Sequence, residues 1–188
     1  MSGVTRDDRE RLAGHRALCV WLTGLSGAGK TTLARAAELE LHARRIRTYL
    51  VDGDELRRLL SPELGFSAAD RAENVRRAAV VARTHVDAGA VAIAALISPF
   101  TADRARARAR FPEGRFREVP IHCPLAVCQS RDPKGLYGRA ARGEISDMTG
   151  VGSPYEAPVA PELVIDTSLR SIAEATQDLV AAVLSRLA

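Results

Sequence analysis

The stretch from Gly24 to Thr31 constrains the fold of this chain most. It reads G-L-S-G-A-G-K-T, follows an apolar run from Ala17 to Leu22, and opens a helical pattern. The glycines let the backbone turn tightly with its N–H groups facing an anion, and the helix N-terminus adds partial positive charge. This spacing is the G-x-x-x-x-G-K-[ST] P-loop pattern. A glycine-rich turn that matches by chance is the alternative, but the strand before and the helix after favour a phosphate site.

The pattern assigns roles to individual residues. Lys30 is expected to reach the β- and γ-phosphates of a nucleotide and to act in catalysis, and Thr31 to place its hydroxyl on Mg²⁺. The residues expected to bind the phosphates of a nucleotide through this loop are Gly24, Leu25, Ser26, Gly27, Ala28, Gly29, Lys30, Thr31 and Thr32.

Composition and charge fit one globular domain that acts on small molecules. The 188 residues are 46% hydrophobic and 27% charged, with a net charge of +4, and a chain of this length builds a single core. The basic residues form no block and no stripe interleaved with aromatics, so an anionic small molecule explains the charge as well as nucleic acid does. We therefore expect small-molecule substrates and no nucleic acid.

The cysteines and the N-terminal segment indicate the compartment. Cys19, Cys123 and Cys128 lack metal-ligand spacing and are expected to be buried thiols of a reducing cytosol. Residues 1–16 are polar without a hydrophobic signal region, and no apolar run reaches the length of a membrane span. The sequence predicts a cytoplasmic protein without a membrane partner. It has one domain at 17–188 and a short N-terminal arm at 1–16 that is expected to be mobile.

Apolar runs alternate with helical patterns along that domain. Strands are predicted at 18–23, 47–51, 90–97, 116–122 and 163–166, and helices at 31–44, 55–60, 67–88, 101–110, 124–130, 136–142 and from 171 onward. This alternation predicts an α/β fold: a three-layer sandwich of the P-loop NTPase type, with a mostly parallel sheet and helices on both faces. The arginines of 101–110 are interpreted as a solvated face. The irregular segment 131–161, rich in Gly, Pro and charge, is predicted to be a lid.

A pair of carboxylates follows the second predicted strand. Ligands bind at the carboxyl ends of parallel strands, and the third strand ends there in Ser98, where many P-loop enzymes carry an aspartate. Asp52 and Asp54 then supply the carboxylates. If the chain is extended, both side chains point to one side, so that one acts through Mg²⁺ and the other orients or deprotonates an attacking hydroxyl. A plain Asp-Gly turn is the alternative.

Other side chains are candidates for holding an anionic acceptor. Arg57 and Arg71 are placed to clamp a phosphate or sulfate. Phe66, on a predicted loop in an aromatic-poor chain, either stacks on a base or plugs the core. Lys30 and Lys134 are the only lysines among 27 basic residues, which raises interest in Lys134, since a compact ammonium differs from a guanidinium.

A resemblance rests on an ordered set of segments. They are G-L-S-G-A-G-K-T-T, D-G-D-E-L-R, G-F-S-A-A-D-R-A-E-N-V-R-R, I-S-P-F, C-P-L-A-V-C-Q-S-R-D-P-K-G-L-Y, A-R-G-E-I and S-P-Y-E-A-P. This sequence resembles the adenylylsulfate (APS) kinase family from Leu18 onward. The resemblance implies transfer of the γ-phosphoryl of Mg·ATP to the 3′-hydroxyl of APS, which gives PAPS and ADP in sulfate activation. The family is generally dimeric, so a homodimer is implied.

The resemblance also implies residue roles. The catalytic set is Lys30, Asp52, Asp54, Ser98 and Lys134, and the metal ligands are Thr31 and Asp52. Arg139 and Arg142 of the lid close over ATP. The residues implied to bind APS are Asp54, Arg57, Phe66, Arg71, Asn74, Ile97, Ser98, Lys134, Gly135, Leu136 and Met148.

Two points remain open at this level. Ser98 is often described in the family as a phosphoserine intermediate, but an in-line transfer between two bound ligands needs no covalent stop, so we favour direct transfer. Asp147 and Met148 stand where the family usually carries Gly-Phe, whose aromatic ring covers the acceptor adenine. Methionine stacks less well, and Asp147 adds negative charge near an anionic ligand.

Two other functions compete with APS phosphorylation. One is a P-loop kinase of a related small nucleotide or another small-molecule hydroxyl, with an altered pocket. The other is a non-catalytic nucleotide-binding module, against which Lys30, Thr31, Asp52 and Asp54 argue. The lack of an Asn-Lys-x-Asp motif argues against a signalling GTPase.

Overall fold

A computed structural model describes residues 3–187 of the chain, so the first two residues of the predicted arm and the last residue of the predicted domain lie outside it. The elements in chain order are α1 (Arg6–Ala13), β1 (Leu18–Thr23), α2 (Lys30–Ala43), β2 (Thr48–Asp52), α3 (Gly53–Leu60), α4 (Ala68–Asp87), β3 (Val91–Ala95), α5 (Thr101–Arg108), β4 (Phe116–His122), α6 (Leu125–Arg131), α7 (Leu136–Ala141), β5 (Ile165–Asp166) and α8 (Ile172–Leu184).

The five strands form one parallel sheet in the order β2-β3-β1-β4-β5. The central strand β1 pairs on both sides, with Cys19 opposite Ala92 of β3 and Phe116 of β4. All six residues of β1 are buried, because helices cover both faces of the sheet, as its continuous apolar sequence predicts.

Alternate residues of β1 point into two separate cores. Leu18, Val20 and Leu22 pack with the apolar sides of α2 and α8. Cys19 and Trp21 pack on the other face, with α4, α5 and Phe116. The predicted three-layer α/β sandwich is thereby confirmed, and all three cysteines are buried free thiols.

Local signals set the helix ends. The Ser67 hydroxyl accepts a hydrogen bond from the Asp70 N–H at the start of α4, and Ser171 and Glu174 form a full capping box at the start of α8. After α4 the chain leaves through Gly89, whose φ of 82° is a left-handed conformation suited to glycine.

Two expectations about charged segments need correction. Most of the described part of the arm forms α1, which is docked on the domain: Arg9 Nη1 donates to the Asp87 carbonyl at 2.8 Å, and Glu10 pairs with Arg115 at 2.9 Å. The interpretation of 101–110 as mostly a solvated face does not hold at Arg104, which is only 2% exposed. Arg104 is buried because the Glu118 carboxylate and two backbone carbonyls satisfy its guanidinium.

Candidate active site

A cleft of about 1190 Å³ lies at the carboxyl ends of the strands. Its walls come from the loop before α2, the start of α3, the residues around the start of α4, the turn after β3 and the lid segment. Predicted site residues that line it are Ser26, Gly27, Gly29, Lys30, Thr31, Thr32, Asp54, Arg57, Phe66, Arg71, Asn74, Ile97, Ser98, Lys134, Leu136, Arg139 and Met148.

The glycines of the loop before α2 are required by close backbone contacts. A Cβ on Gly24 would lie 2.5 Å from the Ile121 carbonyl oxygen, and one on Gly27 would lie 2.8 Å from that of Cys128. Gly29, with a φ of 91°, ends the loop and caps α2 without a side chain. The loop therefore follows the neighbouring backbone as only glycine allows.

Lys30 is buried at the bottom of the cleft. Its Nζ donates to the carbonyl oxygens of Gly24 and Leu25 at 2.8 and 2.7 Å. Burial, and secondly the charge of Lys134, lower the pKa of Lys30 to about 8. A polyanionic ligand would favour the charged ammonium.

Asp52 is the N-cap of α3 and faces Thr31. Its carboxylate accepts from Thr31 Oγ1 at 2.7 Å and from the Asp54 N–H at 2.9 Å. Burial opposes its charge, but the hydrogen bonds from Thr31 and from the N–H groups of Glu55 and Asp54 outweigh burial and hold its pKa below the ordinary value. Two oxygen donors side by side, one of them a carboxylate, fit Mg²⁺.

The chain is not extended through the Asp52–Asp54 segment, so the condition under which both side chains would point to one side is not met. Helix α3 begins at Gly53, since the Asp52 side chain captures the first N–H groups of the helix. Asp54 lines the cleft from the exposed first turn of α3, whereas Asp52 is a buried cap beneath Thr31. Asp54 pairs directly with Lys134 of the lid segment.

Two arginines shape the other end of the cleft. Arg57 Nη1 donates to the Gly65 carbonyl at 2.8 Å, and its guanidinium lies 4.7 Å from the centroid of the Phe66 ring. Arg71 donates to the Phe66 carbonyl at 2.8 Å, to Thr149 Oγ1 at 2.9 Å and to the Asp147 carbonyl. Phe66 is 59% exposed, so the core-plug interpretation is wrong.

Asn74 and Met148 are buried beside these arginines. Asn74 lines the cleft and is 5% exposed. Its Oδ1 has no hydrogen-bond partner among the described residues. Met148 is 6% exposed and also lines the cleft. A buried acceptor atom without a partner is costly unless a ligand supplies a donor.

Ser98 is held by its neighbours on both sides. Its hydroxyl accepts from Trp21 Nε1 at 3.1 Å and donates to Thr23 Oγ1 at 3.0 Å. The residue is 3% exposed and has a φ of 38°. A hydroxyl engaged in this way is poorly placed to act as a nucleophile.

Some predicted residues do not line the cleft. Gly24, Leu25 and Ala28 belong to the loop but not to the cleft lining, and Asp52 lies beneath Thr31. Gly135 precedes α7 with a left-handed φ of 62°. Arg142 is not part of the lining, but its Nε donates at 2.7 Å to the carboxylate of Glu144, which lines the cleft.

The sequence interpretation missed the wall beyond the loop. Thr167 Oγ1 donates to the Ala28 carbonyl at 2.8 Å, and Arg131 Nη2 donates to the Thr167 carbonyl at 2.8 Å. Arg170, Ser171 and Ile172 continue this wall. Thr167 directly follows β5, so the rule on carboxyl ends of strands would have indicated it.

The glycine-rich loop that ends in Lys30-Thr31, on a parallel sheet flanked by helices, defines a P-loop nucleotide-binding protein. Residues 16–166 match the sequence profile of adenylylsulphate kinase, and the chain belongs to that family.

Curated relatives and solved structures agree. The adenylyl-sulfate kinase of Geotalea daltonii is 49% identical, over 97% of this chain and 90% of that protein. That of Shewanella sp. strain MR-7 is 52% identical, over 94% and 86%. The structure of Mycobacterium tuberculosis APS kinase in complex with AMPPNP and APS has a TM-score of 0.86 and 44% identity, over 89% of this chain and 98% of that one. No helix in the described part of the chain is long and apolar enough to cross a membrane.

Proposed function

We propose that this chain transfers the γ-phosphoryl group of ATP to the 3′-hydroxyl of adenylyl sulfate, giving PAPS and ADP. The observation that carries the proposal is one cleft lined by Lys30 of the loop, by Asp54 and by Lys134. Arg57 and Arg71 belong to the same lining and are the candidates for holding an anion. Family membership supports the choice of acceptor.

In this proposal the loop N–H groups and Lys30 hold the phosphates of ATP. Asp54 orients the acceptor hydroxyl and takes its proton as the new oxygen–phosphorus bond forms. The bond from the γ-phosphorus to the bridging oxygen breaks, and ADP leaves. Lys134, released from Asp54, neutralises charge near the transferred group.

Thr31 and Asp52 would hold Mg²⁺, the metal proposed with ATP. Bound there, the ion would neutralise charge on the phosphates. The close pair of oxygen donors described above supports this assignment.

Direct transfer, without a phosphoserine, is part of the proposal. The Ser98 hydroxyl donates its hydrogen bond to Thr23 Oγ1 and accepts one from Trp21 Nε1. Ser98 is therefore assigned to the acceptor wall, together with Ile97, Asn74 and Met148.

The remaining assignments concern the lid and the assembly. We assign residues 131–161 to a lid that closes over ATP through Arg139 and Arg142 and excludes water, and the remainder of residues 17–188 to the catalytic domain. We also assign a homodimer and a cytoplasmic location; three buried free thiols fit a reducing compartment.

A coupled ADP-release assay with APS and Mg·ATP tests the proposed function. We expect ADP and PAPS in equal amounts, and no ADP above background without APS. A panel of other nucleosides, nucleotides and sugar alcohols serves as the control, because Asp147 and Met148 favour a second candidate, a kinase of a related nucleotide. ADP with another acceptor but not with APS would support that candidate. No ADP with any acceptor would overturn both.

A further inference from the structure

The turn after β3 holds a non-glycine residue in a left-handed conformation. Ser98 has a φ of 38°, which costs free energy for a residue with a side chain and persists only where neighbours enforce it. The same turn presents Ile97 and Ser98 to the cleft.

Arg104 of α5 supplies part of that enforcement from outside the cleft. Its Nη1 donates to the Ser98 carbonyl at 2.8 Å, and its Nη2 donates to the Glu156 carbonyl at 2.7 Å. Its Nε donates to Glu118 Oε1 of β4 at 2.6 Å. The contact with Glu118 thus fixes the guanidinium against the sheet. Its other two nitrogens donate to the turn after β3 and to Glu156 of the lid segment.

Tyr155 and Glu156 of the lid segment also bond to the turn after β3 and to its neighbours. The Tyr155 hydroxyl lies 3.2 Å from Thr23 Oγ1, which itself donates to the Ile97 carbonyl at 2.7 Å. The Glu156 N–H donates to the Pro99 carbonyl at 2.9 Å, and its carboxylate accepts from the Thr101 N–H at 2.7 Å. Since Thr23 donates to Ile97, its oxygen accepts from both Ser98 and Tyr155.

We infer that Arg104 and Tyr155 are positioning residues for the acceptor. They hold the turn at 97–99 in its strained conformation and join it to residues 155–156 of the lid segment. This inference rests on the proposed function for the identity of the acceptor. Neither side chain lines the cleft, so their effect on catalysis is indirect.

Steady-state kinetics of Arg104→Lys and Tyr155→Phe test the inference. Lysine keeps the charge beside Glu118 but cannot span the Ser98 and Glu156 carbonyls, and phenylalanine removes one hydroxyl. We expect KM for APS to rise about tenfold in Arg104→Lys, or ~1.4 kcal/mol, and about threefold in Tyr155→Phe, with KM for ATP unchanged. Arg106→Lys is the matched control, because Arg106 is exposed on the same helix, and it should behave as the wild type.

Trp21 offers a readout that does not depend on the acceptor. It is the single tryptophan of the chain, and its indole N–H contacts Ser98. We expect its emission to shift in Arg104→Lys and Tyr155→Phe without any ligand, and to stay constant in Arg106→Lys. Thermal unfolding shows whether each variant is folded; if Arg104→Lys is not, Tyr155→Phe decides.

The outcomes separate the two proposals. Unchanged KM for APS and unchanged Trp21 emission in folded variants would overturn the inference, as would an equal rise in KM for ATP. If the wild type does not phosphorylate APS, the proposed function fails, while the emission experiment still tests the connection itself.

Discussion

Asp52 and Asp54 carry the same chemical group two positions apart, but the backbone gives them different environments. Asp52 is buried and bonded to Thr31 and to N–H groups in the first turn of α3. The Asp54 side chain is 66% exposed, and its ion-pair partner among residues 3–187 is Lys134. The environment of Asp52 therefore suits a fixed metal ligand, and that of Asp54 suits a group that contacts the acceptor.

Asp54→Asn should abolish most turnover without loss of fold. We expect kcat to fall about 10²- to 10⁴-fold, the range for removal of a general base, while the melting temperature changes little because the residue is exposed. The ADP-release assay measures kcat, and thermal unfolding measures the melting temperature. Glu55→Gln, at an exposed carboxylate on the same helical turn, is the control and should keep normal rates. A near-normal rate in Asp54→Asn would remove Asp54 from the mechanism.

The lowered pKa of Lys30 predicts proton uptake when nucleotide binds. Burial first, then Lys134, brings its pKa to about 8, and phosphate oxygens favour the charged form, so binding raises that pKa. Little uptake is expected at about pH 7, where Lys30 already holds its proton, and close to one proton at about pH 9. Titration calorimetry of ADP in buffers of different ionisation enthalpy measures it. The same uptake at both pH values would show that Lys30 titrates normally.

At the scale of elements, the lid segment is joined to the acceptor wall at two places. Arg71 of α4 reaches Thr149 and the Asp147 carbonyl, and residues 155–156 bond to the turn after β3. Met148 lies between Asp147 and Thr149, the two residues that Arg71 contacts, and is buried against the cleft.

Met148→Phe is expected to tighten APS binding. An aromatic ring at this position would stack on an adenine better than a thioether does. Because Met148 is buried, the larger ring should also cost about 1 kcal/mol or more of folding stability. Calorimetric titration with APS measures affinity, and thermal unfolding measures stability. Met148→Leu, which conserves volume, is the control; unchanged or weaker APS binding in Met148→Phe would contradict the expectation.

At the scale of the whole molecule, the cleft is built from residues far apart in sequence, from Ser26 to Ala175. Ligands that bind there should therefore stabilise the complete fold. At about 100 times its Kd, a bound ligand adds ~2.7 kcal/mol, and in a domain of this size that corresponds to a rise in melting temperature of about 5–10 °C.

Thermal unfolding with AMPPNP and with APS, each alone and then together, checks this expectation. Lys30→Met should lose the shift caused by AMPPNP and keep the shift caused by APS, because Lys30 is proposed to hold the triphosphate. Loss of both shifts in that variant would mean that the two ligands do not occupy separate ends.

Local sequence pattern was enough to predict the order of the elements from β1 onward and the glycine-rich loop before α2. Continuous apolar runs specify buried parallel strands, and the glycines with Lys30 and Thr31 act through neighbouring backbone, so local pattern is enough. The positions of Ser67, Gly89 and Ser171 as helix boundaries follow for the same reason, since caps are local.

The partners of the buried polar side chains could not be predicted from local pattern, because they come from other elements of the fold. Arg104 looked like its exposed neighbours because burial of a guanidinium depends on carbonyls and a carboxylate contributed by other elements. The roles of Thr167 and Tyr155, and the capping geometry of Asp52, likewise depend on how strands and lid meet. Periodicity reports which face of an element is apolar, but the partners of a polar group are set by the packing of the whole chain.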